Sequence, residues 1–450
     1  MNIVIVGAGK VGETLVKNFT NENHDIVVVD VNSETVSNVV NRYDVMGIVG
    51  GGLERSVLTD AGVAKADFLI ACTSRDEMNI LCCVLARKLG AKRTVARVRD
   101  PEYFKEVDGI RGELGLDFAF NPELATANEI AQVLKFPSAI NVESFAGGKA
   151  TMAEFEISKD NPINGRTLME IATNYSKKIL VAMVCRGEEV FIPRGDFVIK
   201  SGDRIHIIAT ESEIVAFCKR LKIFKPRAKS VFIVGGGKIA YYLSQMLLSS
   251  GVDVKIVENN EQRANELSAM LLKATVLFGD GSNNEFLDEE NLKNNDACVT
   301  LTGMDEENVI ISLYAKQAGV GKVITKIDRP SLVKMVSGLG LDTVVSPRNV
   351  IANHIVRFVR AHQVEASGGI DTLYKLHDKV EAAEFTVGES FSAIGKSLKE
   401  ISIKQNVLIG GIVRGDKFIQ PSGDSKLEKG DKVVVVTAAS QITELAQILK

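Results

Sequence analysis

The chain of 450 residues lacks the signatures of an enzyme centre, a metal site or a membrane span. Its six cysteines (Cys72, Cys82, Cys83, Cys185, Cys218, Cys298) include no CxxC pair. They lie in apolar strand or helix contexts and read as small core hydrophobes of a reducing compartment, which argues against disulfides and zinc. The five histidines are scattered, with no HxxxH or HExxH face, so no metal site is expected. The longest apolar runs, such as Val433-Val434-Val435-Val436, are strand-sized and far below the ~20 residues that cross a bilayer. Met1-Asn2-Ile3-Val4 enters a strand directly, and no signal peptide is expected. Charge of one sign is missing too: 54 Lys+Arg against 57 Asp+Glu leaves −3, and no global field points to nucleic acid. An apolar share of 45% and a charged share of 25% are ordinary for a globular protein, here long enough for three or four domains.

What is present is present twice. The second half follows the plan of the first, and each copy opens with a nucleotide-binding turn. Gly7-Ala8-Gly9-Lys10-Val11-Gly12 follows the apolar run Ile3-Val4-Ile5-Val6, and Gly235-Gly236-Gly237-Lys238-Ile239-Ala240 follows Val231-Phe232-Ile233-Val234. Strand patterns at 3–6, 26–29, 45–48, 68–71, 94–98 and 118–120 alternate with helical ones such as 11–19, 34–42 and 76–89. The second copy repeats the series at 231–234, 255–257, 275–277, 297–300, 323–327 and 343–345. This alternation predicts an α/β fold with two Rossmann-like, doubly wound parallel sheets. Each series ends in a proline-led helix, 122–134 and 347–360, whose apolar faces (Ile130, Val133, Leu134; Ile355, Phe358, Val359) suit burial against another lobe or within their own.

Beyond these helices the texture changes to short strands and Gly-rich turns, expected as small α+β C-lobes with one short helix early in each. The predicted layout is N-lobe N1 over 1–136, C-lobe C1 over 140–223, N-lobe N2 over 228–362 and C-lobe C2 over 370–450. Basic residues around Pro226 mark the break between halves, and Ala366-Ser367-Gly368-Gly369 mark a softer one inside the second. A period above 200 residues is a duplication of domains, not a solenoid.

In the fingerprint, the first glycine takes the tight turn and the second admits a pyrophosphate. The third permits close helix packing, while the helix N-terminus supplies amides and a positive dipole. Lys10, Val11, Lys238 and Ile239 stand at those N-termini. Asp30 closes the second strand, as Glu258 does in the second copy, to accept from ribose hydroxyls, and a carboxylate there favours NAD over NADP. Ala240 is an allowed variant of the third glycine. After strand four, Thr73-Ser74-Arg75-Asp76-Glu77-Met78-Asn79 answers Thr302-Gly303-Met304-Asp305-Glu306-Glu307-Asn308. Thr73 and Thr302 are expected ligand contacts at the carboxyl edge of the sheet. Asp76 and Asp305 read equally as helix N-caps. Arg97 and Lys326 end strand five as cations that counter phosphate or pair with a neighbouring helix. No Ser/His/Asp or Cys/His arrangement recurs, so no catalytic residue and no enzyme activity are expected.

On these motifs the whole chain resembles the TrkA family, the cytosolic nucleotide-binding components of bacterial Trk potassium uptake, built from tandem RCK (KTN) units. The resemblance rests on Gly7, Gly9 and Gly12 with Asp30, on Gly235 and Gly237 with Glu258, and on Gly279-Asp280-Gly281-Ser282. The two strand-four loops and Asp100-Pro101-Glu102-Tyr103 add to it. It implies a cytoplasmic, NAD(H)-responsive regulatory subunit, peripheral on the inner face of the membrane beneath a TrkH- or TrkG-type potassium translocator. It implies a homo-oligomer, dimer or tetramer, with ATP or ADP as the ligand of one site. Gly279 and Asp280 would meet the adenine end. The first copy departs with Gly50-Gly51-Gly52-Leu53, and the second carries Arg263 where the first has Thr35. The expectation is that N1 prefers NAD(H) and N2 takes NAD(H) or an adenine nucleotide less selectively. The rival readings are regulation of another ion transporter and a soluble NAD-dependent oxidoreductase.

Overall fold

The structure, a computed structural model, describes residues 1–176, 178–337, 339–341, 343–362, 370–377, 380–438 and 442–450; the expected break at 366–369 lies outside the described residues. In N1, strands β1 (Asn2–Val6), β2 (Asp25–Asp30), β3 (Met46–Val49), β4 (Phe68–Ala71), β5 (Arg93–Arg97) and β6 (Phe118–Phe120) alternate with six helices. These are α1 (Lys10–Thr20), α2 (Ser33–Tyr43), α3 (Arg55–Asp60), α4 (Asp76–Leu89), α5 (Pro101–Ile110) and α6 (Pro122–Lys135). The strands pair in parallel in the order β3-β2-β1-β4-β5-β6. The order reverses between β1 and β4, which opens a crevice at the carboxyl ends of those strands. Burial on both faces explains why β1 and β4 read as unbroken apolar runs.

C1 follows as β7 (Val142–Phe145), β8 (Ala150–Glu156), α7 (Leu168–Asn174), β9 (Leu180–Arg186), β10 (Glu189–Phe191), β11 (Arg204–Ala209) and α8 (Glu211–Arg220). Its antiparallel sheet has the order β10-β9-β11-β8-β7. N2 repeats N1 with β12 (Ser230–Val234), α9 (Lys238–Ser249), β13 (Asp253–Glu258), α10 (Glu261–Met270), β14 (Thr275–Phe278), α11 (Asn284–Glu289), β15 (Ala297–Thr300), α12 (Asp305–Gln317), β16 (Lys322–Lys326), α13 (Pro330–Ser337), β17 (Thr343–Val345) and α14 (Pro347–Ala361). Its sheet, β14-β13-β12-β15-β16-β17, has the same order. C2 contains β18 (Ile370–His377), β19 (Val380–Thr386), β20 (Val407–Arg414), β21 (Lys417–Ile419) and β22 (Lys432–Thr437), ordered β18-β19-β22-β20-β21.

The short helix expected early in each C-lobe forms as α7 in C1, but C2 shows only the 3-10 turn Leu398–Glu400 there. Both carry the same capping box, Thr167 with Glu170 and Ser397 with Glu400, so the start signal is shared and the continuation is not. The repeated Arg and Asp of the C-lobes form two-pronged ion pairs. Arg186 Nε and Nη2 donate to Asp203 at 2.7 and 2.8 Å, and Arg414 does the same to Asp431 at 2.9 and 2.8 Å.

The proline-led helices settle their two readings in favour of the other lobe. Helix α6 leaves N1 and packs on α9 of N2, and α14 leaves N2 and packs on α1 of N1. One core joins Ala127, Ile130 and Leu134 to Val231, Ile233 and Leu243; another joins Ile351, Ile355 and Val359 to Ile3, Ile5 and Leu15. The two C-lobe sheets share a third core, with Phe145, Met152 and Ile208 against Ala382, Val434 and Val436.

Candidate nucleotide-binding site

Gly7 and Gly235 sit at φ +104° and +101°, a region that disfavours side chains. A Cβ on Gly7 would stand 2.8 Å from the Thr73 amide nitrogen, and one on Gly235 would stand 2.8 Å from the Leu301 carbonyl carbon. The end of strand four therefore presses against the turn in both copies. Helices α1 and α9 start behind Gly9 and Gly237, which offer no side-chain cap, so their first amides have no partner within the helix. A Cβ at Gly9 or Gly237 would meet nothing within 4 Å, so these glycines face open space. Gly12 is a packing residue, because its Cβ would lie 1.9 Å from the Gly7 carbonyl oxygen; α9 carries Ala240 at the matching place.

The acids at the end of strand two are engaged with the backbone of the turns. The Ala8 amide donates to Asp30 Oδ2 at 2.7 Å and the Asn32 amide to Oδ1 at 2.9 Å. The Gly236 amide donates to Glu258 Oε2 at 2.6 Å and the Asn260 amide to Oε1 at 2.8 Å. Each carboxylate braces its glycine turn, and each oxygen keeps a lone pair for a ligand hydroxyl.

Asn79 and Asn308 hold the loops after strand four. Asn79 Oδ1 accepts from the Thr73 amide (2.8 Å) and hydroxyl (2.7 Å), while its Nδ2 donates to the Arg97 carbonyl at 2.9 Å. Asn308 repeats the amide bond to Thr302 at 2.8 Å and donates to the Lys326 carbonyl at 3.1 Å. Both asparagines are fully buried. Asp76 and Asp305 are not N-caps; Arg75 and Met304 occupy those places. Asp76 Oδ2 accepts from the Arg99 and Asp100 amides, both at 2.8 Å, and Asp305 accepts from those of Asp328 and Arg329, both at 2.9 Å. A carboxylate one residue inside the helix reaches the loop after strand five, which neighbours strand four in the sheet. Arg97 and Lys326 turn to backbone, with Arg97 Nη1 on the Cys72 carbonyl at 3.4 Å and Lys326 Nζ on the Thr302 carbonyl at 2.8 Å. Burial lowers the Arg97 pKa, with the Arg99 charge adding to the effect.

The two crevices open onto one cavity of about 1050 Å³ at the seam between N1 and N2. Gly7, Gly9, Lys10, Val11, Asp30, Thr73 and Arg97 line it from one side. Gly235, Gly237, Lys238, Ile239, Glu258, Gly279, Thr302 and Lys326 line it from the other. Three expected site residues are not on its wall. Gly12 lies under the turn. Asp280 is engaged with Ser282, whose amide and hydroxyl donate to Oδ1 at 2.9 and 2.7 Å and hold the carboxyl below its ordinary range. Arg263 Nε donates to the Gly236 carbonyl at 3.0 Å and braces the turn from behind. Sequence reasoning missed wall residues Arg75, Arg99, Glu123, Asp328 and Arg348. Glu123 and Arg348 follow the two prolines, a matched pair of positions with opposite charges, and that was the available signal.

The TrkA-N domain profile matches residues 3–122 and 231–347, and the TrkA-C domain profile matches 152–222 and 382–450. The Trk system potassium uptake protein TrkA homolog of Archaeoglobus fulgidus is 32% identical over 450 residues, covering all of both chains. The Trk system potassium uptake protein TrkA of Halomonas elongata is 32% identical over 442 residues, covering 97% of this chain and 95% of its own. The GsuK RCK domain shares the fold at a TM-score of 0.63 and 18% identity, over 97% of this chain and 92% of that one. The GsuK channel bound to NAD aligns with the same score over 97% of this chain and 76% of its own. With a duplicated glycine turn, reversed strand order and both domain profiles in tandem, the chain belongs to the TrkA family.

Proposed function

We propose that this chain is a cytosolic regulatory subunit that gates a membrane potassium translocator of the TrkH or TrkG type in response to NAD(H) and adenine nucleotides. Its lobes, over 1–136, 140–223, 228–362 and 370–450, act as a pseudo-twofold unit that assembles further as a homo-oligomer at the inner face of the membrane. The names of the full-length relatives support the potassium system, and the NAD- and ADP-bound states of the GsuK channel support the ligand class. No helix among the described residues is long and apolar enough to cross a membrane.

The observation that carries the reading is the shared cavity. A ligand there lies at the seam of the two N-lobes, whose residues share the wall, and α6 and α14 brace each lobe on the other. Its binding free energy therefore depends on the angle between them, which is what a gating ligand needs. A coupling of ~1–3 kcal/mol would change open probability by roughly 5–150-fold. The test is K⁺ uptake in cells lacking their own Trk regulatory subunit, supplied with the translocator and this chain, intact or as Gly9→Glu or Gly237→Glu. A Cβ at either position meets nothing within 4 Å, so each substitution is expected to spare the fold while its carboxylate opposes the phosphates. Restored uptake that either substitution alters is the expected result. Uptake indifferent to the chain would end the potassium reading.

A further inference from the structure

We propose that the two clefts are graded by charge: N1 is the seat of the phosphate-rich adenine nucleotide and N2 of the dinucleotide. The proposal rests on the nucleotide-sensing reading and names a ligand class for each half of the cavity. The acids Asp30 and Glu258 serve the adenosine ribose, which ATP, ADP and NAD(H) share, so they cannot sort among these ligands. Sorting belongs at the far end, across the switch point, where a terminal phosphate or a nicotinamide lies beside the loop after strand four.

That loop has the same anchors in both halves. The Thr73 and Thr302 amides each donate to an asparagine Oδ1 at 2.8 Å. Its cavity-lining residues differ at three places, of which Ser74 against Gly303 carries no charge. Arg75 stands where N2 has Met304, and Met78 stands where N2 has Glu307; all four line the cavity. Each exchange makes N1 more positive by one charge. Elsewhere on the wall, Arg99 and Glu123 form an ion pair at 2.6 Å, and their counterparts Asp328 and Arg348 carry the same two charges in reverse.

A second observation points the same way. Arg97 Nε and Arg348 Nε are buried donors without a hydrogen-bond partner, and both residues line the cavity. Ile351, one turn beyond Arg348, belongs to the same apolar core as Ala8 and Cys72 of N1. In N2 the cation at the Arg97 position, Lys326, is already engaged with the Thr302 carbonyl at 2.8 Å. Met304 offers a soft apolar surface to a nicotinamide ring, and Glu307 beside it repels a third phosphate. This reverses the expectation drawn from the glycine pattern, which reports the shared adenosine end only.

The experiment is equilibrium binding of ATP and of NADH to the full-length protein and four variants. With Gly9→Glu, ATP binding is expected to be lost and NADH retained; with Gly237→Glu, the converse. Arg75→Met/Met78→Glu should weaken ATP about tenfold or more, the effect of ~1.4 kcal/mol of lost charge interaction. Met304→Arg/Glu307→Met should create a second tight ATP site per chain. Both effects should shrink as salt rises. ATP retained by Gly9→Glu, or exchanged loops that leave the preference of each cleft unchanged, overturns the assignment. Equal affinities of both ligands at both clefts remove this assignment alone, whereas a protein that binds neither removes the nucleotide-sensing reading with it.

Discussion

Ala8, Asp30 and Val39 in the first copy correspond to Gly236, Glu258 and Leu267 in the second, and the three exchanges compensate one another. A Cβ on Gly236 would lie 2.5 Å from Leu267 Cδ1 and 2.8 Å from Glu258 Oε2, so the longer acid and larger leucine require glycine in the turn. Gly236→Ala is therefore expected to cost about 1 kcal/mol, the low end for overpacking, since both contacts are ends of side chains. Adding Glu258→Asp and Leu267→Val should recover it, and urea midpoints of the single and triple variants would check this; equal losses in both would refute the compensation. Asn79→Ala strands the Thr73 amide and the Arg97 carbonyl and is expected to cost about 1–3 kcal/mol. At this scale the glycines and acids were legible because their chemistry is local. The roles of Asn79, Asp76 and Arg263 were not, since each has a partner in a segment folded against it: the Arg97 carbonyl, the Arg99 and Asp100 amides and the Gly236 carbonyl.

Among the elements, α14 carries an inter-lobe lock that α6 lacks. Arg360, 1% exposed, donates through Nε to Glu22 beyond α1 at 3.1 Å and through Nη1 to Glu381 of β19 at 2.6 Å. Burial works against its charge, but its hydrogen bonds to Glu22 and Glu381 hold its pKa above the ordinary value. Lys135 has the matching place on α6. Arg360→Met removes the guanidinium that Glu22 and Glu381 share and should cost about 3–5 kcal/mol, measured by denaturation, with Arg360→Met/Glu22→Gln less damaging than the single change.

Helices α6 and α14 also pack on each other, with Glu129 and His354 at matching positions. Burial raises the Glu129 carboxyl, and burial with the Glu129 charge raises that of Glu143. Burial, then Arg357, pushes His354 down to about 4. A carboxyl raised in the fold keeps its proton after the unfolded chain has lost its own near about pH 4.3, so its share of stability falls as pH rises. His354 contributes the opposite slope, but only below about 6.5. Glu129→Gln should therefore gain stability over the parent progressively from about pH 5 to 8. A difference that does not change with pH would mean the carboxyl is ionised in the fold.

On the scale of the whole molecule, the chain is two halves that finish each other. Each of three apolar cores draws residues from both halves. Across the C-lobes, the Ala146 amide donates to Glu384 Oε2 at 2.6 Å and the Tyr374 hydroxyl to the Ser144 carbonyl at 3.1 Å. Fragments 1–225 and 228–450, produced together, are expected to co-purify as one complex. A half that is stable and monodisperse as a monomer by light scattering would contradict this dependence.

The sequence by itself determined the duplication, the parallel sheets, the glycine turns and the acid after each second strand. Those features are written in local periodicity and in residue types that only one backbone geometry accommodates. The tertiary structure decided that α6 and α14 change lobes, and so that the two crevices become one cavity. Periodicity reports that a helix has an apolar face, not which of several apolar surfaces will cover it. Contacts such as Asn121 Nδ2 to the Tyr242 hydroxyl, at 2.9 Å across 121 residues, are decided by the packing of whole lobes.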